Sequence, residues 1–237
     1  MVEGVVVQLP RGIDAVFLRA QPTVRAEARG TVARGDRVQF SATAHEAWYH
    51  VRAGGKEGWV SKQAGQVLIL AAEVAEGAFW LQWPTADLRI TQVFGNNPAY
   101  YGQWFKDAAG RPLGHEGIDL AAAHGSPITA CADGEVYRVE TADNSAYGLQ
   151  VRINHRPFPY RTVYAHLETV AVAVGETVVR GQVIGTADNT GNSFGDHLHL
   201  TVKRDGATRM GLSRYVGAAA DVVDPLPLLV VGGDDGA

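Results

Sequence analysis

Glycine interrupts this chain so often that a long helix has nowhere to form. With 28 glycines among 237 residues and no sustained helical apolar period, the chain reads as mainly β, with short strands between many turns. Apolar residues make up 46% and charged residues 19%. That is enough for packed cores and too little charge for general disorder.

The pattern divides the chain into segments. Residues 1–12 read as an N-terminal extension, 13–70 as a small β-barrel and 71–90 as a linker. Residues 91–227 read as a larger antiparallel β domain, and 228–237 as a flexible tail. In the first module Ala15–Arg19, Arg37–Phe40, Ala47–Val51 and Glu57–Val60 are strand-like, and Gly54-Gly55 signals a hairpin. Trp80-Leu81-Gln82-Trp83-Pro84 reads as an extended lead-in, because proline biases its predecessor away from helix.

Several classes are disfavoured. A net charge of -4 and a pI near 6.0 argue against nucleic acid as a partner. No apolar run reaches the ~20 residues of a membrane span. Cys131 is the single cysteine, so an intramolecular disulfide framework is excluded, and its apolar neighbours mark it as buried and inert. Residues 1–7 lack the basic start and long apolar run of a signal peptide, so a trimmed leader or another export route is expected. The oligomeric state stays open, with a monomer as the default.

The chemistry lies in three short motifs: His115-Glu116-Gly117-Ile118-Asp119, Tyr164-Ala165-His166-Leu167 and His197-Leu198-His199. Four histidines and an aspartate suit one zinc ion with an open position and two spare imidazoles, a set fit for amide hydrolysis. His197 and His199 alternate as on a strand and share a face, so one is a ligand beside a supporting or catalytic group. Gly117 argues against reading the first motif as a helical H-E-x-x-H site. A straight strand would hold His115 and Asp119 about 13 Å apart, so the backbone is expected to bend at Gly117, leaving Glu116 as a flanking residue. His166 alone carries little information. His45, His50, His124 and His155 read as surface or turn residues.

Together these motifs resemble the lysostaphin/LytM-type zinc endopeptidases. The resemblance runs from about Thr91 to Val202 and includes Gly125-Ser126-Pro127-Ile128, Asp133-Gly134-Glu135-Val136, Gly181–Gly185, Thr190–Ser193 and Gly195–His199. It implies an antiparallel sheet around an open groove, with His115, Asp119 and His199 holding one catalytic zinc. His166 and His197 would flank the reacting water. Inactive relatives have lost one or more of these groups, whereas all five stand in this chain. Leu120 and Leu200 replace frequent aromatics and Asp188 a smaller residue, which bears on substrate choice more than on activity.

The first module, through Phe17–Pro22, Gly35–Val38, Trp48–Val51 and Glu57–Val60, is similar to bacterial Src-homology-three-type domains. Such modules often bind peptidoglycan, and Trp48, Tyr49 and Trp59 are candidates either for a stacking face or, more simply, for core packing. Tyr100, Tyr101 and Trp104, in an insert before the first metal motif, are candidates to contact a glycan or stem peptide, and Asn192 and Ser193 to position it.

The expected function is thus a zinc-dependent endopeptidase cutting the stem or cross-bridge of bacterial peptidoglycan, outside the cell or in its envelope. The alternatives are a non-hydrolytic wall-binding or amidase-activating protein, and a zinc peptidase acting on peptides outside the wall.

Overall fold

The computed structural model describes residues 1–9, 13–41, 45, 47–62, 67–72, 77–206, 211–213 and 220–231. The chain separates into two compact units, Met1–Ala78 with Val230–Ala237, and Phe79–Leu229. The expected tail lies mostly outside the described residues.

The first unit is built from β1 (Val2–Gln8), β2 (Ala15–Arg19), β3 (Ala28–Ala33), β4 (Arg37–Ser41), β5 (Trp48–Ala53), β6 (Lys56–Ser61) and β7 (Leu68–Ala71). They pair in the order β3-β2-β6-β5-β4-β1-β7. Alternation sends Val16 and Leu18 of β2, and Val38 and Phe40 of β4, to the inside. There they meet Val32, Tyr49, Val51, Val60 and Ile69. Gly54 and Gly55 both take positive φ, 53° and 74°, and close the β5–β6 hairpin so that Ala53 pairs with Lys56. No pairing among the described residues of this unit joins β3 to β7, so its hydrogen bonding follows an open path.

One sequence expectation changes here. Residues 2–8 are a strand between β4 and β7, because a short apolar run without a turn signal can serve an extension or a strand equally well. Tyr49 is buried in the core, and Trp48 is buried beside a small cavity that it lines with Val16, Phe17 and Arg19. Trp59 is half-buried, and the His50 ring stacks on it with centroids 4.5 Å apart.

The second unit holds β8 (Leu81–Gln82), β9 (Ile90–Gln92), a one-turn helix α1 (Pro98–Tyr101), β10 (Ile118–Ala121), β11 (Pro127–Thr129), β12 (Gly134–Glu140), β13 (Leu149–Asn154) and β14 (Tyr160–Val170). After these come β15 (Thr177–Val178), β16 (Val183–Ala187), β17 (His197–Arg204), β18 (Leu212–Ser213) and β19 (Val222–Val223). Its main sheet runs β15-β12-β13-β14-β17-β10-β9, with β16 also on β14 and β11 on β16. Leu198, Leu200 and Val202 of β17 point into the core with Ile118, Leu120, Ile153 and Tyr164, all fully buried. The intervening residues of β17, His197, His199 and Thr201, take the other face by the two-residue period of a strand.

His155 corrects the sequence reading: it is buried, not a surface residue. Its Nδ1–H donates to the Asp133 carbonyl at 2.8 Å, and Nε2 pairs with the Thr162 hydroxyl at 2.8 Å. Phe79 packs on its ring. Both ring nitrogens are satisfied, so a neutral imidazole can be buried at low cost. Burial lowers its pKa, against the opposing pull of the Asp133 carbonyl. An unfolded histidine titrates near 6.5. The stability this group contributes is therefore complete above about pH 6.5 and is lost as pH falls from there toward the lower folded value, by at most ~1.4 kcal/mol per pH unit. Thermal unfolding followed from pH 7 to 5 should show a falling midpoint, and His155→Gln should flatten that fall. An unchanged slope in the variant would contradict this account.

Candidate metal centre and groove

Three adjacent strands build the site. In the β17–β10 pairing His199 lies opposite Asp119, and in the β14–β17 pairing it lies opposite Ala165. Cross-strand partners on one face stand within side-chain reach. His115, just before β10, also reaches this point. His199 Nδ1 stands 2.9 Å from Asp119 Oδ1 and 3.0 Å from His115 Nε2, and His115 Nε2 is 3.3 Å from Asp119 Oδ1. All three residues are buried. Gly117 makes this possible through close approach. A Cβ there would lie 2.4 Å from the Leu200 carbonyl oxygen and 2.9 Å from the His199 ring, while its φ is not left-handed. The sequence pointed to the right glycine, but its role is space rather than a bend that only glycine permits.

The donor set fits a metal ion. The Nδ1–H of His115 donates to the Val93 carbonyl at 3.3 Å, and His199 Nε2 pairs with the buried Thr201 hydroxyl at 2.9 Å. With an ion between them, those partners would let His115 Nε2 and His199 Nδ1 turn their lone pairs to it beside the Asp119 carboxylate. With bonds of ~2.0–2.1 Å, the ligand atoms of a tetrahedral ion lie roughly 3.3–3.4 Å apart, close to the measured separations. Burial alone would raise the Asp119 pKa, but its hydrogen bonds to His115, His197 and His199 outweigh that and hold the carboxylate ionised far below its usual range. Thr201→Val keeps the shape and removes the partner of His199 Nε2. Metal affinity should drop about 10–100-fold, readable by competition with a chelator. Unchanged affinity would show that Thr201 does not orient His199.

His166 arrives by a backbone device. Leu149 pairs with Leu167 and Val151 with Tyr164, so Gln150 faces two β14 residues, Ala165 and His166. This bulge re-aims the side chain, and His166 takes a left-handed φ of 61°, which costs a β-carbon residue of order 1 kcal/mol. Two backbone bonds hold it: His166 N–H donates to the Tyr147 carbonyl, and Asp188 N–H to the His166 carbonyl. Its Nδ1–H donates to the Thr190 carbonyl at 2.6 Å. His197 Nδ1–H likewise donates to the Gly195 carbonyl at 2.7 Å. His166 therefore keeps an Nε2 lone pair, whereas His197 Nε2 faces the Asp119 carboxylate at 3.5 Å, and the two rings lie 4.8 Å apart. Burial, reinforced by His199, brings His166 down to about 4, so its imidazole is neutral near pH 7.

The site opens into a groove of about 630 Å³, and all ten residues singled out from the sequence line it. Tyr100, Tyr101 and Trp104 form an aromatic cluster on and just after α1, with Tyr101 against His115 at 4.9 Å. The Tyr101 hydroxyl accepts from Gln92, so its outer edge is already tied. Asn192 Nδ2 reaches the Tyr100 hydroxyl at 3.5 Å, and Ser193 Oγ lies 3.3 Å from His197 Nδ1.

Nine further residues line the groove that sequence reasoning did not single out, among them Glu116, Tyr147 and Phe194. Glu116, read as flanking, is buried in the lining; burial raises its pKa, with Lys203, His115 and Arg152 opposing. Tyr147 packs at 5.6 Å from the His199 ring. Phe194 is 92% exposed at the rim. Only Thr201 was findable from the pattern, by extending the alternation of His197 and His199 one step. A second convergence of possible ligands, His124, Asp188 and Asp196, stands toward solvent beside this site.

Comparison with known proteins agrees with the geometry. Residues 113–210 match the model of peptidase family M23, and residues 14–66 match that of the bacterial SH3 domain. A Haemophilus influenzae protein described as an uncharacterized metalloprotease is 41% identical over 90 residues, 38% of this chain and 18% of its own length. The peptidoglycan DD-endopeptidase ShyC of Vibrio cholerae is 41% identical over 90 residues, 38% of this chain and 20% of its own. This chain thus spans about one fifth of the length of these curated relatives. The catalytic domain of lysostaphin from Staphylococcus simulans superposes with a TM-score of 0.44 at 24% identity, over 59% of this chain and 90% of that one. The chain thus carries one region similar to peptidase family M23 and another similar to the bacterial SH3 domain.

Proposed function

We propose that the protein is a zinc-dependent endopeptidase that hydrolyses a peptide bond of bacterial peptidoglycan, working outside the cell or in its envelope. One observation carries the reading. Two imidazole nitrogens and a carboxylate oxygen converge within 4.8 Å on the floor of an open groove, and two further imidazoles lie beside them. His115, Asp119 and His199 would hold the ion, two nitrogens and one oxygen being a zinc-type set with room for another ligand. When bound, zinc polarises the scissile carbonyl and lowers the pKa of an attacking water.

The protein's own groups do the rest. His166, neutral and with Nε2 free, takes the proton from the water. His197, 3.5 Å from Asp119 through Nε2, stands where an imidazole can offset charge developing on the carbonyl oxygen. Tyr100, Tyr101, Trp104, Asn192 and Ser193 would seat the substrate. The peptidoglycan substrate is supported by the names of relatives such as the DD-endopeptidase above.

The test is digestion of purified sacculi with and without a zinc chelator, followed by mass spectrometry. Chelator-sensitive release of fragments with a new amino or carboxyl terminus supports the proposal and identifies the bond. No release with zinc confirmed in place would turn the assignment toward a binding or activating role.

A further inference from the structure

The lip of the groove carries a second set of metal-type donors, apart from the buried one. His124 lies just beyond β10, and Asp188 and Asp196 bracket the loop that leads into β17. They bring one imidazole nitrogen and two carboxylate oxygens within 4.8 Å of one another. His124 Nδ1 is 3.2 Å from Asp188 Oδ1. Asp196 also lines the groove, so this cluster adjoins the peptidase centre without sharing a ligand with it. Two carboxylates this close repel each other, and a divalent ion matches their combined charge.

The backbone beneath these side chains is fixed. Asp188 N–H donates to the His166 carbonyl at 3.0 Å, and the Asp188 carbonyl accepts from His197 N–H at 3.2 Å. Gly125 N–H, beside His124, donates at 2.8 Å to the carbonyl of Ala187, beside Asp188. The histidine also has an orienting partner, since its Nε2 faces Glu168 Oε1 at 3.5 Å. Glu168 is placed in turn by the Thr186 hydroxyl, which donates to its Oε2 at 3.1 Å and pairs with the Thr169 hydroxyl at 2.8 Å. A carboxylate behind one ring nitrogen is the usual outer partner of a metal-ligating imidazole. It fixes the tautomer and turns the other nitrogen's lone pair toward the ion. Here that other nitrogen is Nδ1, which faces Asp188. Ligand atoms around an ion with bonds of ~2.1 Å lie roughly 3.4 Å apart, so His124 and Asp188 already stand at ligand spacing. Asp196 is exposed and can close the set by rotating its side chain.

We propose that His124, Asp188 and Asp196 form a second divalent-cation site, weaker than the buried cluster, with Glu168 orienting His124. One nitrogen and two oxygens suit zinc or a similar first-row ion, with water completing the shell. Two of the three ligands are exposed, so the site is less rigid than the buried set and its affinity is lower.

The test dialyses the metal-free full chain against zinc alone and counts bound metal by mass spectrometry. The wild type should take two ions per chain, the second at least about tenfold more weakly. His124→Ala should abolish the weaker site and keep the tighter one. Its side chain is 60% exposed, so little packing is lost. Glu168→Gln keeps all three ligands and should weaken the second site about 10–100-fold. Asp119→Ala should do the reverse of His124→Ala, losing the tighter ion and keeping the weaker. A wild type that binds one ion, lost with Asp119→Ala, would leave the lip cluster an imidazolium–carboxylate network and overturn the inference while the peptidase reading stands. A second ion that survives His124→Ala overturns it equally, and one unmoved by Glu168→Gln removes the orienting role. A single ion lost with His124→Ala and kept in Asp119→Ala would support this site and overturn the ligand set in the groove. No bound zinc overturns both.

Discussion

Asp119→Ala is expected to yield a folded protein that neither retains zinc nor cuts peptidoglycan. Asp119 is the one carboxylate among the three converging donors, and three histidine rings point at it: His199 at 2.9 Å, His115 at 3.3 Å and His197 at 3.5 Å. Losing an outer partner of a ligand weakens metal binding about 10–100-fold, so losing a ligand that also supplies the only negative charge should exceed that. The fold should survive, because the alanine leaves no buried charge unpaired, and the strands on either side are held by Ile118, Leu120, Leu198 and Leu200, all buried. Metal content by mass spectrometry, turnover on sacculi and far-ultraviolet circular dichroism separate the effects. Full zinc content with lost turnover would remove Asp119 from the ligand set. Lost circular dichroism would assign it a folding role.

His166→Ala should give the complementary phenotype: zinc retained at one per chain, kcat reduced about 10²–10⁴-fold, the usual contribution of a positioned base. His166 does not share in the close contacts of the three donors; its ring lies 5.8 Å from that of His199. Its Nδ1 is tied to the Thr190 carbonyl, and burial keeps it neutral. The variant also tests the bulge, since alanine relieves none of the strain of a φ of 61°. If the alanine protein loses zinc, the division between ligand and base is wrong. If it turns over normally, proton transfer uses another group, with His197 next in line.

Much of this was legible in the chain itself. The two-residue period of His197-Leu198-His199 places both rings on one face and Leu198 in the core, because alternation is a local property of any strand. Gly54-Gly55 closes a hairpin for the same kind of reason: glycine alone accepts positive φ freely at both turn positions. His155 was misread because its environment is assembled from elsewhere. The partners of His155, Asp133 and Thr162, lie on other segments, and nothing near it in sequence announces them.

What the sequence determined by itself is the β character and the set of histidines and carboxylates from which a site could be assembled, since these depend on residue type and on spacing along one strand. The tertiary structure alone decided that His115, Asp119 and His199 meet, that a bulge turns His166 toward them, and that all four line one groove. Each of those depends on register between strands far apart in the chain. A shift of one residue in the β10–β17 pairing would move Asp119 from opposite His199 and dissolve the site while every motif stayed intact.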